Sequence, residues 1–365
     1  MQFFDVSIAD DAIAAVSDVL RSGFLSEGKR VLEFETALAA QLGLSHPVAL
    51  NSGTSALHLA LAVAGVGPGD EVIIPAQTFV ATATVVLMQG AKIRFADIQP
   101  KTGNIDPASL ANAITERTRA IIPVHWAGYP CDLDEIHQVV KDCDAAVIED
   151  AAHAVGAVYR GRPIGSVSRF TAFSFQAIKH LTTGDGGALA CLNESDEHEA
   201  KTRRWFGIDR ANSAVGALGE REYDILQLGY KYHMNDFAAA LGLCNLARAA
   251  ANLARHREIA GIYARELMCV PGLKLLDYRE DRTSSYWFFP VLVERRLQFV
   301  ENLKAHGCVA SVVHRRIDSN SLFGGMCGDL PGQTYFDKRH CGLPIHTKLT
   351  DDDVAQVVRT IQRGW

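Results

Sequence analysis

A single lysine, Lys179, stands between two apolar segments near the middle of the chain. The aromatic run that ends at Phe175 is typical of a buried strand, and the Thr-Thr-Gly-Asp-Gly-Gly cluster after Leu181 predicts a tight turn before the next strand. An ammonium held between two buried strands would be partly desolvated, which lowers a lysine's pKa toward the range where the free amine attacks a carbonyl. On spacing alone an exposed loop lysine is the more common case, so this interpretation depends on other residues.

A second candidate site lies at Ser52, Gly53 and Thr54, where a short strand turns into a long apolar helix. A helix that begins directly after a strand aims free backbone N–H groups and the positive end of its dipole at one point, which favours an anion. The hydroxyls of Ser52 and Thr54 would add donors. The same residues are also typical of an ordinary helix cap, so this segment by itself indicates an anion site only weakly.

Apolar strand-like segments alternate with helical segments from Glu71 onward. This alternation predicts an α/β fold with a mainly parallel sheet that is covered by helices on both faces. Ligands of such sheets collect at the carboxyl ends of the strands. Polar residues follow several of the predicted strands, and they are Gln77, Thr78, His125, Asp150 and Ser174. We expect their side chains to converge at one edge of the sheet.

The C-terminal part of the chain has a different pattern. Strand-like runs at residues 286–293 and 309–313, with helices at residues 297–306 and 350–362, predict a smaller α+β domain. An alanine-rich helix over residues 237–263 would cross between domains or pack in a dimer, and the loop at residues 209–222 is expected to be mobile. We predict a large domain at residues 1–245 and a small C-terminal domain at residues 246–365.

The composition is that of an ordinary globular protein. Its 365 residues are 48% hydrophobic and 21% charged, with a formal net charge of -6. Because the charge is negative and no basic tract is present, we expect neither nucleic acid nor a membrane as partner. Apolar stretches such as residues 56–66 are shorter than the ~18 residues that a membrane span needs. The eight cysteines lack a Cys-x-x-Cys pair and a secretory leader, which predicts reduced thiols and a cytoplasmic location.

Two other patterns are set aside. The spacing of Cys327, His340, Cys341 and His346 fits no common zinc pattern, so no metal site is predicted. The glycine run at residues 65–69 follows a helix and precedes a strand, which is the wrong order for a dinucleotide-binding fingerprint. This order argues against a nicotinamide-dependent oxidoreductase.

The remaining candidates together match the needs of one cofactor, pyridoxal 5'-phosphate. The turn around Gly53 would cradle the phosphate, and Phe79 offers an aromatic ring for stacking. Asp150 ends a buried strand and offers a carboxylate for the pyridine nitrogen. Ser174 stands five residues before Lys179, which supplies an amine for the aldehyde.

At these positions the sequence resembles the sugar aminotransferases of the DegT/DnrJ/EryC1/StrS family. The matching stretches are residues 51–57, 75–82, 149–157 and 173–187, with weaker matches at residues 22–35, 229–236 and 312–316. The resemblance implies a PLP-dependent enzyme of fold type I, with a large domain that carries a mainly parallel mixed sheet and a smaller C-terminal α+β domain. It also implies a homodimer with shared active sites.

The resemblance implies roles for the two residues closest to the chemistry. Lys179 would be the Schiff-base lysine, and after its release by substrate it would move the proton between the substrate carbon and the cofactor. Asp150 would keep the pyridine nitrogen protonated. Phe79 would stack on the ring face.

The resemblance also implies a set of cofactor-binding residues. Gly53, Thr54 and Ser174 would bind the phosphate. His153 stands where many relatives carry glutamine and would hydrogen-bond the ring oxygen. Lys231 stands where many relatives carry an asparagine that reaches the partner subunit's phosphate, and a lysine there would pair with it as a point charge.

The reaction follows from the residue at position 179. Sugar 3-dehydratases of this family replace the lysine with histidine, so Lys179 favours transamination over dehydration. We expect an amino-acid donor, L-glutamate before L-glutamine, and a keto-sugar acceptor carried on a nucleotide. A keto-cyclitol acceptor, a dehydratase and a non-catalytic regulatory protein of the same fold are the alternatives, and the presence of Lys179 and Asp150 argues against the last.

Substrate choice is expected to depend on loops that the patterns do not resolve, at residues 22–28, 209–222 and 314–323. His314, Arg315 and Arg316 would suit a nucleotide diphosphate or the carboxylate of the donor. A solvated basic turn explains the same three residues equally well.

Overall fold

The chain folds around a seven-stranded β-sheet, and the computed structural model describes residues 1–210 and 212–365. The α-helices are α1 (Ala12–Ser22), α2 (Lys29–Leu42), α3 (Gly53–Val63), α4 (Val80–Met88), α5 (Pro107–Ala113), α6 (Leu133–Val139), α7 (Glu194–Arg203), α8 (Asp236–Leu246), α9 (Ala249–Leu267), α10 (Arg296–Ala305), α11 (Pro331–Asp337) and α12 (Asp351–Gln362). The β-strands are β1 (Pro47–Leu50), β2 (Glu71–Pro75), β3 (Lys92–Ala96), β4 (Thr118–Ile121), β5 (Ala146–Asp150), β6 (Val158–Tyr159), β7 (Arg162–Pro163), β8 (Phe170–Ser174), β9 (Gly187–Cys191), β10 (Ala214–Val215), β11 (Arg221–Glu222), β12 (Leu273–Leu275), β13 (Arg282–Thr283), β14 (Phe289–Val293) and β15 (His340–Leu343). Short 3₁₀ helices cover Trp126–Gly128, Ile317–Ser319 and Ser321–Phe323.

The seven strands of the main sheet lie in the order β1-β9-β8-β5-β4-β2-β3. Strands β8, β5, β4, β2 and β3 are parallel to their neighbours in this order, whereas β9 runs antiparallel to both β1 and β8. The predicted mainly parallel mixed sheet is therefore confirmed. The antiparallel strand places the residues between β8 and β9, including Lys179, in a short connection between adjacent strands.

Both faces of the sheet are covered by helices, because the side chains of each strand alternate between two apolar clusters. Phe173 of β8 packs in one cluster with Phe34 and Leu38 of α2. Its neighbour Ala172 packs in the other cluster with Leu59 of α3. Helix α2 ends at a left-handed glycine, Gly43.

A second sheet, β12-β14-β15, is antiparallel and lies in the C-terminal part of the chain. Its core includes Tyr263 of α9, Phe299 of α10 and Val357 of α12. We propose that this region is the small domain and that the division falls between residues 245 and 246. The N-terminal residues lie against it, since the ring of Phe4 stacks on Trp287 with centroids 4.6 Å apart.

The prediction of one continuous helix over residues 237–263 is wrong. The helix is interrupted after Leu246, and the axes of α8 and α9 differ by 56°. Helix α8 packs on α1 and α2, while α9 packs on α12 and β12. The buried side chain of Asn245 ties the end of α8 to neighbouring loops, donating to Thr182 O at 2.8 Å and accepting from the Ala9 N–H at 2.8 Å. Tertiary contacts thus override the uninterrupted helical composition.

The same two helices are the part of the structure that comes closest to a membrane-spanning helix in length and hydropathy. No single helix in residues 1–210 and 212–365 is long and apolar enough to cross a bilayer. Helices α8 and α9 reach that length and hydropathy only when they are taken together across their bend.

One further prediction differs from the structure. The strand expected at residues 309–313 is reduced to a single bridge between Ser311 and Gly342. The chain then turns toward the main sheet, where the Ile317 N–H donates to Ala76 O at 2.9 Å. In the loop at residues 209–222, β10 and β11 form a short hairpin. Residue 211 lies outside the described residues, and the mobility of this loop stays a prediction.

Candidate active site

A cavity of about 360 Å³ opens at the carboxyl ends of β5 and β8, beside the first turns of α3 and α4. The predicted site residues that line it are Gly53, Thr54, Phe79, Asp150, His153, Ser174 and Lys179. Their convergence follows from the parallel arrangement of the strands, whose carboxyl ends meet at one edge. Lys231 is the predicted residue that the structure does not bring into this cavity.

The first turn of α3 is held against the end of β8. A Cβ atom at Gly53 would lie 2.9 Å from Ser174 Cβ and 3.2 Å from Ser174 Cα. Ser52 caps the helix, accepting from the Ser55 N–H at 3.0 Å. The N–H groups of Gly53 and Thr54 have no partner within the helix, because the first turn of an α-helix always leaves them free. The predicted cap and the predicted anion cradle therefore coexist at this helix.

Gly53→Ala is expected to lower the free energy of unfolding by about 1–3 kcal/mol, because the new methyl group must displace the Ser174 backbone. The same displacement should weaken pyridoxal 5'-phosphate binding, measured by titration of the cofactor-free protein. Gly67→Ala is the matched control, since nothing lies within 4 Å of a Cβ atom there. Equal losses in the two variants would contradict the tight contact between α3 and β8.

Asp150 presents a buried carboxylate to the cavity. Its Oδ2 accepts from Thr82 Oγ1 at 2.8 Å, and its Oδ1 accepts from the Ala152 N–H at 3.1 Å. Burial raises the pKa of this carboxyl, and both hydrogen bonds and the charge of Lys179 oppose that rise. Thr82 also contacts Thr78, with their hydroxyl oxygens 2.6 Å apart. The carboxylate is thus held in one orientation by donors on both oxygens.

Polar residues beneath the cavity support the ends of the strands. Glu149 points to the other side of β5, where His125 Nε2 lies 2.7 Å from Glu149 Oε2. The Cys131 N–H donates to His125 Nδ1 at 3.0 Å, so Nε2 carries the proton and donates to Glu149. Although burial acts in the opposite sense, this hydrogen bond lowers the pKa of Glu149. Gln77 also lies outside the cavity and bonds the side chain of Gln333 at 2.8 Å.

Lys179 is half-buried, and its Nζ lies 3.5 Å from the ring centroid of Trp287. Its backbone is fixed by a turn in which its N–H donates to Gln176 O at 2.9 Å. Burial lowers the pKa of Lys179 to about 7, against the attraction of Asp150. The amine is therefore neutral for about half of the molecules near neutral pH, as a nucleophile or base requires.

His153 and His314 add neutral imidazoles to the wall of the cavity. Their ring centroids lie 5.7 Å apart with nearly parallel planes. Burial is the largest cause that lowers the pKa of His153 well below its usual range and that of His314 to about 4, and the charge of Lys179 acts in the same sense. His153 Nδ1 is buried and has no hydrogen-bond partner in the part of the chain that the structure describes.

His314, Arg315 and Arg316, the three residues of the predicted basic turn, each lie in a different environment. His314 lines the cavity, and Arg315 is exposed. Arg316 is buried and makes a two-bond ion pair with Asp318, at 2.7 Å and 2.6 Å. Neither the predicted substrate contact nor the predicted solvated turn describes Arg316, because its guanidinium is already occupied inside the protein.

Phe79 and Lys231 remain largely exposed. Phe79 directly precedes α4 and has 53% of its surface accessible, and its ring centroid is 5.2 Å from that of His314. Lys231 extends over the ring of Trp205, 5.8 Å from the centroid. Leu226 and Leu228, which precede Lys231 in the chain, also have exposed apolar side chains. Both site residues thus offer surface that a ligand or a second subunit could cover.

Histidines also pack beneath the Lys179 segment. His180 Nε2 donates to Ser285 O at 2.9 Å, and His256 Nδ1 donates to Tyr286 O at 2.9 Å. The two rings are 4.8 Å apart. Burial lowers the pKa of both imidazoles, that of His256 to about 4. Both neutral rings line a small pocket together with Lys179 and Trp287.

Stability is expected to fall as the pH is lowered from about 6.5 toward 4, because the unfolded chain then protonates His256 while the folded chain keeps it neutral. For a pKa of about 4, the loss from this residue is roughly 3 kcal/mol at pH 4. Urea unfolding at about pH 7.5 and about pH 5 should show a smaller difference for His256→Gln than for the wild type. Equal differences would contradict the neutral state of His256.

A wider depression of about 680 Å³ lies at the opposite edge of the sheet. Its charged groups are already paired, as in Arg119 with Asp144 at 2.6 Å and Arg169 with Asp196 at 2.8 Å. Across residues 1–210 and 212–365, no three His, Cys, Asp or Glu side chains are placed to hold a metal ion. The cavity at Lys179 is accordingly the better candidate for chemistry.

The residues of this cavity fit pyridoxal 5'-phosphate. Because residue 53 is glycine, the first turn of α3, whose free N–H groups favour an anion, can lie directly against Ser174. A buried carboxylate, an amine of lowered pKa and an unpartnered imidazole nitrogen complete the donor set.

Comparisons with known proteins identify the family. The sequence profile of the DegT/DnrJ/EryC1/StrS aminotransferase family matches residues 6–362. The chain belongs to this family. It is a pyridoxal 5'-phosphate-dependent aminotransferase of fold type I, as predicted, and the non-catalytic alternative is set aside.

Three relatives show how far the similarity extends. The sugar aminotransferase CalS13 from Micromonospora echinospora has 37% identity and a TM-score of 0.95, with 100% of both chains covered. The PLP form of Spr1654 from Streptococcus pneumoniae, a putative sugar aminotransferase, has 32% identity and a TM-score of 0.91, with 100% and 98% covered. The spore coat polysaccharide biosynthesis protein SpsC of Bacillus subtilis is 37% identical over 97% of this chain and 94% of its own.

Trp287 is the cavity residue that the sequence analysis missed. It lies 108 positions from Lys179 in the chain, two residues before β14, and no motif surrounds it. Its run of aromatic neighbours was interpreted as an apolar strand. Thr82 was also missed, although a hydroxyl in the apolar helix α4 is a signal that could have been followed from the sequence.

Proposed function

We propose that this protein moves the amino group of L-glutamate to the keto group of a nucleotide-linked sugar, with Lys179 as the reacting amine. The observation that carries the proposal is the Lys179 amine itself, which has a pKa of about 7 and lies in the same cavity as the buried carboxylate of Asp150. A bound cofactor supplies an aldehyde for the amino group and a protonated ring that withdraws electrons from the reacting carbon.

Lys179 would act twice in this proposal. Its Nζ would hold the cofactor covalently at the aldehyde carbon, with loss of water, and this attachment needs the neutral amine. The same Nζ, once free, would move a proton between the donor's α-carbon and C4' of the cofactor. A group with a pKa near the working pH suits both proton transfers.

The other site residues would hold the cofactor. Asp150 keeps a proton on the ring nitrogen, and Thr82 and Ala152 orient its carboxylate for this task. His153 would donate or accept at the ring oxygen through the imidazole nitrogen that has no partner among the described residues. Phe79 would cover one face of the ring with its exposed phenyl group.

The phosphate would lie between α3 and β8. Gly53 and Thr54 offer free backbone N–H groups, and Thr54 and Ser174 offer hydroxyls. An exposed guanidinium, that of Arg315, directly follows the cavity residue His314 and supports a negatively charged carrier such as a nucleotide diphosphate on the acceptor.

We also propose that two copies of the chain share their active sites, with Lys231 reaching the phosphate of the partner's cofactor. Support comes from the exposed apolar side chains of Phe24, Leu226 and Leu228, which are 82%, 86% and 72% accessible. A dimer in sedimentation analysis is the expected result. A fully active monomer would remove Lys231 from the site.

The visible spectrum of the purified protein, recorded before and after excess L-glutamate, tests the reaction. The band of the lysine-linked cofactor should be replaced by that of pyridoxamine phosphate, while D-glutamate should leave it unchanged. Nucleotide-linked keto sugars, the free keto sugars and a keto-cyclitol are then added in turn to the aminated protein. Return of the first band with the cyclitol alone would overturn the proposed acceptor, and a response to L-glutamine alone would overturn the proposed donor.

A further inference from the structure

The indole of Trp287 contacts the Lys179 segment at two separate points. Its ring face lies against the side chain, with the centroid 3.5 Å from Lys179 Nζ. Its Nε1–H donates to the carbonyl oxygen of Ile178 at 2.9 Å. One side chain therefore touches both the amine and the peptide group that precedes it.

Trp287 is itself held rigidly. Its backbone N–H donates to Ala127 O at 2.9 Å. The ring stacks with that of Phe4 at 4.6 Å and that of His153 at 4.0 Å, with interplanar angles of 19° and 20°. The residue is 3% exposed, and this small accessible part lines the cavity. A ring fixed in this way can define the position of a flexible side chain that lies on it.

The face of an indole is electron-rich and attracts an ammonium group. At Lys179 this attraction acts against burial, which disfavours the charged amine. The four-carbon stem of a lysine is flexible, so without a fixed contact the amine would sample several rotamers. Contact with the ring face restricts this sampling, and the bond to Ile178 prevents the backbone beneath it from moving.

We propose that Trp287 is a positioning residue for Lys179: its N–H group fixes the peptide before the lysine, and its ring face holds the amine inside the cavity. The proposal rests on the proposed function of Lys179 as the reacting amine. It assigns to the C-terminal part of the chain a direct influence on a residue in the connection between β8 and β9.

Acetylation of the cofactor-free protein with acetic anhydride, followed by peptide mass spectrometry over a range of pH, tests this proposal. The fraction of acetylated Lys179 reports the unprotonated amine, and the wild-type midpoint is expected near the pKa of about 7. Trp287→Leu should lower the midpoint by roughly 0.5–1 pH unit, because the charged amine loses the aromatic face. Trp287→Phe, which restores an aromatic face, should bring the midpoint to within about 0.3 unit of the wild type.

The matched control is Trp365→Leu. Trp365 also donates its Nε1–H to a backbone carbonyl, that of Glu294 at 2.8 Å, but packs on Phe299 instead of the cavity. In the Trp365→Leu variant, the pH midpoint of Lys179 acetylation should equal that of the wild type. Circular dichroism verifies folding, and Trp287→Met replaces the leucine variant if that one is unfolded.

An unchanged or raised midpoint in the folded Leu or Met variant would overturn the proposal, since the indole would then only fill space or exclude water. The acetylation uses no cofactor, so this outcome is independent of the reaction. Failure of the proposed function would appear elsewhere, as the absence of a borohydride-reducible link at Lys179 in the wild type.

Discussion

Lys179→Ala protein is expected to form no covalent link with pyridoxal 5'-phosphate and to lose transamination by at least about 10³-fold, because the general-base step alone contributes 10²–10⁴-fold. The alanine side chain provides neither the nucleophile nor the base. Noncovalent cofactor binding should persist, since the cradle at Gly53 and the carboxylate of Asp150 are untouched. Borohydride reduction with peptide mass spectrometry measures the link, and the rate of the L-glutamate half-reaction measures the loss.

Two variants sharpen this test. Lys141→Ala removes an exposed lysine at the end of α6 and should behave as the wild type. Lys179→Arg keeps a cation at the site but forms no link, so it should be as inactive as the alanine variant. A reducible link at another lysine, or substantial activity in either Lys179 variant, would show that the reacting amine has been misassigned.

Asp150→Asn is expected to retain the cofactor while turnover falls by about 10²–10⁴-fold, a loss of the size seen when a positioned proton-holding group is removed. The amide has nearly the shape of the carboxylate but no negative charge with which to keep a proton on the ring nitrogen. Its effect should therefore appear in the rate of proton transfer at the donor's α-carbon. Stopped-flow absorbance with α-deuterated L-glutamate measures that step directly.

Thr82→Val provides an intermediate case within the same test. It leaves the charge of Asp150 in place and removes the hydrogen bond at 2.8 Å. A loss on the order of tenfold is expected, since one hydrogen bond to a charged group contributes about 1.5 kcal/mol or more. If Asp150→Asn retained wild-type rates, the carboxylate would have no part in the reaction, whatever the result for Thr82.

Much of the candidate site could be predicted because its parts are local in the sequence. A strand that ends in Asp150, a strand-to-helix turn at Gly53 and a lysine between two apolar runs each carry their own pattern. The parallel order of the strands then determines that their carboxyl ends meet. Gly53, Asp150 and Lys179 line one cavity in the structure, whereas their individual roles in catalysis stay predictions.

The parts that could not be predicted depend on contacts between distant segments. Trp287 reaches Lys179 only through the docking of residues 285–287 on residues 127–128. Arg316 is neutralised by Asp318, which a sequence pattern of basic residues does not reveal. The break between α8 and α9 is likewise set by what each helix packs on, since no glycine or proline marks residues 247–248.

The position of β9 between β1 and β8 has a consequence for hydrogen exchange. The lysine segment joins two neighbouring strands, and Gly187 at the start of β9 pairs with both Ser174 and Leu50. Lifting this segment out of place would require separating strands in the interior of the sheet. Amide protons at its two ends are therefore expected to exchange only when the whole sheet opens, unlike those of surface loops. Lys179 is thus expected to lie in one of the slowest-exchanging parts of the molecule.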